Sequence, residues 1–292
     1  MTIGFIGLGV MGEAMCRNLI QKSGHTVFAH DLDPTRVAAL VEAGAVMPKD
    51  AVDVMGRTEI IITCLPGGAQ VRERMLGGNG LAFKARKGQI VIDMSTSQPG
   101  LMRELATVLE ERGAHFADAP IARTRQAAAD GTLAIMVGAD ADVFARIEPV
   151  LACMGSDIMH CGPVGAGQIV KIMNNMVLFQ NNVALAEALN IAEAHGMTGE
   201  TLLQAMSKGS GDSFALRNHA TKAMLPGDYP ERSFSVKYAA KDLSYAIEMA
   251  REAGLPIPGA ENVSDLFQAA IEAGDGDFYH PVIRKSLQKD QG

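Results

Sequence analysis

At 292 residues the chain is long enough for two domains and a sizeable core. A formal net charge of −7 with no Lys/Arg run excludes a nucleic-acid-binding surface, and four cysteines and seven histidines without ligand spacing exclude a metal centre. Cys16, Cys64, Cys153 and Cys161 sit in apolar contexts expected of reduced thiols. The glycine-broken N-terminal stretch has no basic segment ahead of it, so a cytoplasmic protein without a signal peptide or membrane span is expected.

The first predicted element is a strand, Ile3-Gly4-Phe5-Ile6, running into Gly7-Leu8-Gly9-Val10-Met11-Gly12 and then a helix over Glu13 to Gln21. In such a Gly-x-Gly-x-x-Gly turn, Gly7 allows the sharp bend, Gly9 lets backbone amides approach a pyrophosphate, and Gly12 lets the helix pack closely. The second strand, Thr26 to His30, ends at Asp31, nineteen residues past Gly12. A carboxylate there accepts hydrogen bonds from ribose hydroxyls and repels a 2′-phosphate, which favours NAD over NADP. Asp33-Pro34 opens the next helix, with Asp33 the better N-cap, and nearby Arg36 partly offsets the repulsion.

Four further apolar runs follow: Ile60 to Leu65, Ile90 to Met94, His115 to Asp118 and Ala134 to Val137. Alternating with helical stretches, they predict βαβ units of a doubly wound parallel sheet. Leu65-Pro66-Gly67-Gly68, Ser95-Thr96-Ser97 and Ala119-Pro120 lie just past strand ends, where open α/β sheets hold ligands. The predicted architecture is α/β: a Rossmann-type dinucleotide-binding domain over 1–163, then an all-α substrate and oligomerisation domain over 164–292, joined by a long helix. That helix, Ala166 to His195, would run about 40 Å at 1.5 Å per residue. Its apolar circumference implies burial against the sheet domain, the rest of the helical domain or a second subunit. Helices are also expected over Thr198–Lys208, Phe214–Met224, Val236–Ala253 and Ala260–Ala273.

Within the long helix, Lys171, Asn174 and Asn175 interrupt an apolar run at i, i+3 and i, i+4 spacing and so share one face. Gly167 is read as leaving open space above the lysine. A lysine in such surroundings has its charged form disfavoured by desolvation, which suits general acid/base work beside a nicotinamide. Asn175 is placed to orient the reacting oxygen or the lysine's ammonium.

Four motifs in order resemble the β-hydroxyacid dehydrogenases, the family of 3-hydroxyisobutyrate dehydrogenase and tartronate semialdehyde reductase. They are Phe5 to Gly12, Asp118-Ala119-Pro120-Ile121 continuing to Gly131-Thr132-Leu133, Gly162 to Gly167 leading to Lys171 and Asn175, and Lys241-Asp242-Leu243. The resemblance implies an NAD-dependent homodimer or homotetramer acting on a small anionic substrate. In it Lys171 is the acid/base, Asn175 contacts substrate, Lys241 lies near the cofactor, and Met11, Leu65 and Thr96 line the NAD site, with Thr96 close to the nicotinamide.

After Asp118-Ala119-Pro120 most members read Val-Ser-Gly-Gly, whereas this chain reads Ile121-Ala122-Arg123-Thr124. Arg123 can grip an oxyanion bidentately with Thr124 as an extra donor. A similar Arg-Thr, with paired asparagines after the lysine, occurs in the 3-sulfolactaldehyde reductase branch. A decarboxylating relative of the 6-phosphogluconate dehydrogenase type expects histidine and glutamate where Asn174 and Leu178 stand. Imine reductases usually lose the lysine, and a non-catalytic nucleotide-binding module would replace it. Hydride exchange between a 3-hydroxy acid and its semialdehyde is therefore the expected activity.

Overall fold

Apolar residues two apart on each strand send alternate side chains to opposite faces, and a sheet with helices on both sides results. In the computed structural model, which describes residues 1–231 and 233–288, the elements open β1 (Thr2–Ile6), α1 (Gly12–Lys22), β2 (Thr26–His30), α2 (Pro34–Val41), α3 (Ala51–Arg57) and β3 (Ile60–Thr63). They continue α4 (Gly68–Leu76), β4 (Ile90–Asp93), α5 (Pro99–Glu110), β5 (His115–Asp118), β6 (Ile121–Ala122), α6 (Arg125–Asp130), β7 (Leu133–Gly138), α7 (Ala141–Leu151) and β8 (Gly155–Gly162). Ile3, Phe5, Ile62 and Ile92 pack on one face with Met15, Leu19 and Leu40. Ile61, Val91 and Phe116 pack on the other with Val54, Leu101 and Leu105.

Strand order is β2-β1-β3-β4-β5-β7-β6, with β8 also paired to β7. From β2 through β5 every pair is parallel, and the order reverses between β1 and β3, the switch point beyond which open sheets bind their ligands. The uniformly parallel reading fails at β7, which runs antiparallel to β5 and β6. Between β5 and β7 the chain first forms β6, which pairs antiparallel with β7 through the α6 connection, so β7 returns along the sheet instead of crossing over it. Strand β8 carries no sequence signal, because Ser156, Asp157 and His160 dilute its apolar content and most of it is exposed.

The chain divides into Met1–Lys171 and Ile172–Gly292. Composition shifts at 163, but the opening turns of α8 (Ala166–Ala194) pack with the sheet, so the division falls inside that helix. The second unit is helical: α9 (Gly199–Met206), a π-helical stretch Leu216–Met224, α10 (Val236–Glu252), α11 (Pro258–Glu272) and a 3-10 stretch His280–Leu287. Phe179, Val236, Leu243, Phe267 and Val282 form its main core. Among the described residues no helix is long and apolar enough to cross a membrane.

Candidate active site

The glycine turn after β1 is built as its sequence demands. Gly7 has φ +99°, and a Cβ there would lie 2.3 Å from Cys64 O. A Cβ on Gly12 would fall 2.0 Å from Gly7 O, so the helix start is pressed onto the loop, whereas at Gly9 only Arg36 Nη1 stands within reach, at 3.7 Å. Met11 precedes α1 without a side-chain cap, and of the first-turn amides Glu13 N–H turns back to Gly9 O at 3.0 Å, so no side chain of the cap occupies the helix start where an anion would sit. The cradle therefore fits a dinucleotide's pyrophosphate on its own geometry.

Asp31 is more engaged than the sequence suggests. Its Oδ2 accepts the Leu8 N–H at 2.5 Å and its Oδ1 the Asp33 N–H at 2.9 Å, so the carboxylate is braced against the glycine loop itself. An ionised carboxylate offers about four lone-pair directions, which leaves room for ribose hydroxyls. Asp33 caps α2 through the Thr35 N–H at 2.9 Å and also holds Arg36 Nε at 3.2 Å, while Arg36 Nη1 donates to Leu8 O at 2.9 Å.

At the exits of β3, β4 and β5 lies a buried polar network. Leu65, followed by Pro66, donates its N–H to Ser95 Oγ at 2.8 Å, and Ser95 and Thr63 hydroxyls both donate to Asp93 Oδ1 at 2.7 Å. Thr96 is the half-buried residue between fully buried Ser95 and Ser97. Asp118 accepts N–H groups from Gly165 at 2.6 Å and Gln168 at 2.8 Å, anchoring the start of α8. Burial pushes both Asp93 and Asp118 up to about 6. Hydroxyl bonds from Ser95 and Thr63 oppose the rise at Asp93, and the Gly165 and Gln168 amides oppose it at Asp118.

Gly167 does not leave open space above the lysine. A Cβ there would sit 2.3 Å from Met136 O and 2.8 Å from Asp118 Oδ2, so the glycine is needed for the helix to close on β7 and on that carboxylate. One turn on, Lys171 is 9 % exposed.

Arg123 and Thr124 have local partners. Arg123 is the single non-glycine residue with positive φ, +87°, among those described. Its guanidinium meets Asp157 at 2.8 Å, Thr132 O at 2.7 Å and Ser156 Oγ at 3.0 Å. Thr124 Oγ1 caps α6 by accepting the Ala127 N–H at 3.3 Å.

In the second unit Asn175, 2 % exposed, donates to Asp242 Oδ2 at 2.8 Å and accepts from Asn174 Nδ2 at 3.2 Å. Lys241 meets Asp242 Oδ1 at 2.9 Å, with Tyr238 and Tyr245 ring centroids 5.3 and 5.5 Å from its ammonium. Asp242 thus gathers Asn175 and Lys241. The sequence contains it in a motif but gives no spacing signal for the role, because the contact spans 67 positions. Among the described residues no cluster of three or more ligating side chains forms a metal site.

Residues 2–162 match the NAD binding domain of 6-phosphogluconate dehydrogenase, and residues 165–284 match a family described as NAD-binding of NADP-dependent 3-hydroxyisobutyrate dehydrogenase. The chain is 38% identical to 2-(hydroxymethyl)glutarate dehydrogenase of Eubacterium barkeri over 94% of its length and 90% of that protein's. It is 32% identical to the NAD-dependent L-serine dehydrogenase of Pseudomonas aeruginosa, over 99% of both. A solved Mycobacterium tuberculosis 3-hydroxyisobutyrate dehydrogenase with L-serine superposes with a TM-score of 0.90 at 31% identity, covering 99% of each chain. The chain belongs to the β-hydroxyacid dehydrogenases and is an NAD-binding oxidoreductase.

Proposed function

We propose that the protein interconverts a small anionic 3-hydroxy acid and its semialdehyde, with Lys171 as general acid/base. The observation that carries this reading is Lys171 itself, an amine 9 % exposed on α8, one turn before the Asn175 amide that Asp242 orients. A buried lysine without a chemical task is rare. Bound NAD supplies or accepts the hydride. In reduction the Lys171 ammonium gives its proton to the carbonyl oxygen; in oxidation the amine takes the hydroxyl proton. Asn175 and Asn174 orient that oxygen. Gly7, Gly9, Met11 and Gly12 seat the pyrophosphate, and Asp31 holds the ribose and favours NAD. Leu65, Pro66 and Thr96 line the nicotinamide end, with Lys241 near the cofactor.

Arg123 and Thr124 favour a substrate whose distal end is an anion, a carboxylate or the sulfonate of 3-sulfolactaldehyde. The relative named for 2-(hydroxymethyl)glutarate, a hydroxy acid with a distal carboxylate, supports that class. Interconversion of 3-hydroxyisobutyrate or tartronate semialdehyde forms the second reading. Ile169, Val177 and Ile191 stay exposed on α8, which supports a homodimer or homotetramer, and the free thiols suit the cytoplasm.

The test is Lys171→Met assayed with NADH against sulfolactaldehyde, succinic, methylmalonic and tartronate semialdehydes, and with NAD against 2-(hydroxymethyl)glutarate. Turnover is expected to fall at least about 100-fold with NADH binding retained, the scale of lost acid/base catalysis. Undiminished turnover by the folded variant refutes the mechanism.

A further inference from the structure

We propose that Gln168 is a positioning residue that fixes the distance between the two reaction partners of the site, the residue beside the nicotinamide and the proton-donating lysine. The inference rests on the roles given above to Thr96 and Lys171. Gln168 is fully buried in the first turn of α8, one turn before Lys171. Its side-chain amide grips the backbone on both sides of Thr96: Oε1 accepts the Ser97 N–H at 3.0 Å, and Nε2 donates to Ser95 O at 2.8 Å. Its own backbone N–H is held by Asp118 Oδ2 at 2.8 Å, and Gly165 N–H by Oδ1 of the same carboxylate at 2.6 Å.

The side chain therefore straps the exit of β4 to the turn that leads into Lys171, while Asp118 fixes that turn to the exit of β5. Nothing softer intervenes. The Ser95 hydroxyl, tied to Asp93 and to the Leu65 N–H, prevents the gripped segment from sliding. Glycines at 138 and 167 permit the tight fit, since a Cβ on either would strike an Asp118 carboxylate oxygen, at 2.4 and 2.8 Å. Hydride and proton must arrive at adjacent atoms of one substrate, and a displacement near 1 Å is enough to lose rate on the order of 100-fold. A two-bond amide strap across Thr96 is suited to hold that tolerance.

The test compares Gln168→Met, which keeps volume and removes both bonds, with Gln168→Glu, which keeps the acceptor for Ser97 N–H and sets a carboxylate against Ser95 O. For Gln168→Met, kcat is expected to fall about 10- to 100-fold, while NADH affinity by fluorescence titration and the KM for aldehyde change less than about twofold. The isotope effect with 4-deuterated NADH is expected to rise as hydride transfer becomes rate-limiting. Gln168→Glu is expected to fall between parent and Gln168→Met, and decides the matter by the same readouts if the methionine variant does not fold. Parental kcat and isotope effect, or equal losses of kcat and NADH affinity, overturn the proposal. Lys171→Met run in parallel separates the cases: if it alone is inactive, only the strap is wrong, and if it retains turnover, the lysine mechanism falls first.

Discussion

Asn175 donates its side-chain N–H to one oxygen of Asp242 at 2.8 Å, and the other oxygen of the same carboxylate holds Lys241 at 2.9 Å. Asp242 is 4 % exposed, so it serves both from a site where water competes poorly. The amide of Asn175 is thereby fixed with its oxygen toward Asn174 and its nitrogen toward the acid.

Replacing Asp242 with leucine removes the carboxylate that Asn175 and Lys241 share. Loss of a hydrogen bond to a charged group costs about 1.5–3 kcal/mol, so kcat/KM is expected to fall roughly 10- to 100-fold. Asp242→Asn retains the acceptor for Asn175 and loses the charge facing Lys241, and should therefore hurt cofactor affinity more than kcat. Steady-state rates with NADH titrated at saturating aldehyde separate the two. Equal effects of both substitutions on kcat and on the KM for NADH would contradict the division of roles.

Asp31 provides a second test. If the carboxylate that braces the Leu8 amide also holds the ribose, Asp31→Ser is expected to weaken NADH use by roughly 1.5–3 kcal/mol, the value of a charged hydrogen bond. It also removes the repulsion of a 2′-phosphate, with Arg36 already bonded to Leu8 O nearby. The ratio of kcat/KM for NADPH to that for NADH should rise at least about 10-fold, in line with a change of that size. An unchanged ratio would remove Asp31 as the selector.

The features legible in the sequence are those with local causes. Gly7, Gly9 and Gly12 announce a loop whose backbone geometry only glycine fits, and the runs at Ile60, Ile90 and His115 each become a strand at nearly the expected residues. That Lys171, Asn174 and Asn175 share one face of α8 is legible because helical periodicity is a property of the chain alone. What stays hidden depends on contacts made over distance. Gln168 reads as one polar residue in an apolar run until the fold brings Ser95 and Ser97 to it, 73 and 71 positions away. Asp242 is concealed in the same way. Gly167 reads as open space in the sequence, whereas its missing Cβ admits Met136 O and the Asp118 carboxylate, and sequence alone does not name what approaches. The antiparallel β7 escapes because an apolar run has no direction until its partner is known.

Arg123 sits at φ +87°, a conformation that costs a side-chain-bearing residue about 1–2 kcal/mol. Its pair with Asp157 is solvent-exposed and contributes little in return. Arg123→Gly is therefore expected to leave the melting temperature unchanged or slightly higher. If the guanidinium grips a distal anion, Asp157 competes for it, and Ser156 and Arg123 hold that carboxylate below its ordinary range so that it stays charged. Asp157→Asn should then lower KM roughly 3- to 10-fold for substrates with a distal anion and leave substrates without one unaffected, as removal of a competing charge requires. Unaltered KM values in both classes would mean that Arg123 only closes its own loop.

Buried acids at the sheet's carboxyl edge give stability a distinctive pH dependence. Asp93 is 1 % exposed, its Oδ2 has no hydrogen-bond partner among the described residues, and burial raises it from 3.8 to about 6. Between those values the folded protein holds the proton that the unfolded chain has released, so this contribution falls as pH rises and is flat above about 6. Two units correspond to roughly 3 kcal/mol as an upper estimate. His219 works in the opposite sense: burial lowers it to about 4, so its contribution is complete above 6.5 and is lost as pH falls towards 4. The two slopes oppose each other in the parent, but only the acid's is removed by Asp93→Asn. That variant keeps an acceptor for Thr63 and Ser95, and also relieves Asp118 of a neighbouring charge that pushes it up. Urea unfolding of parent and variant should show Asp93→Asn more stable by roughly 2–3 kcal/mol at pH 8, with the gap closing towards pH 4. A gap independent of pH would show that Asp93 is not titrating inside the fold.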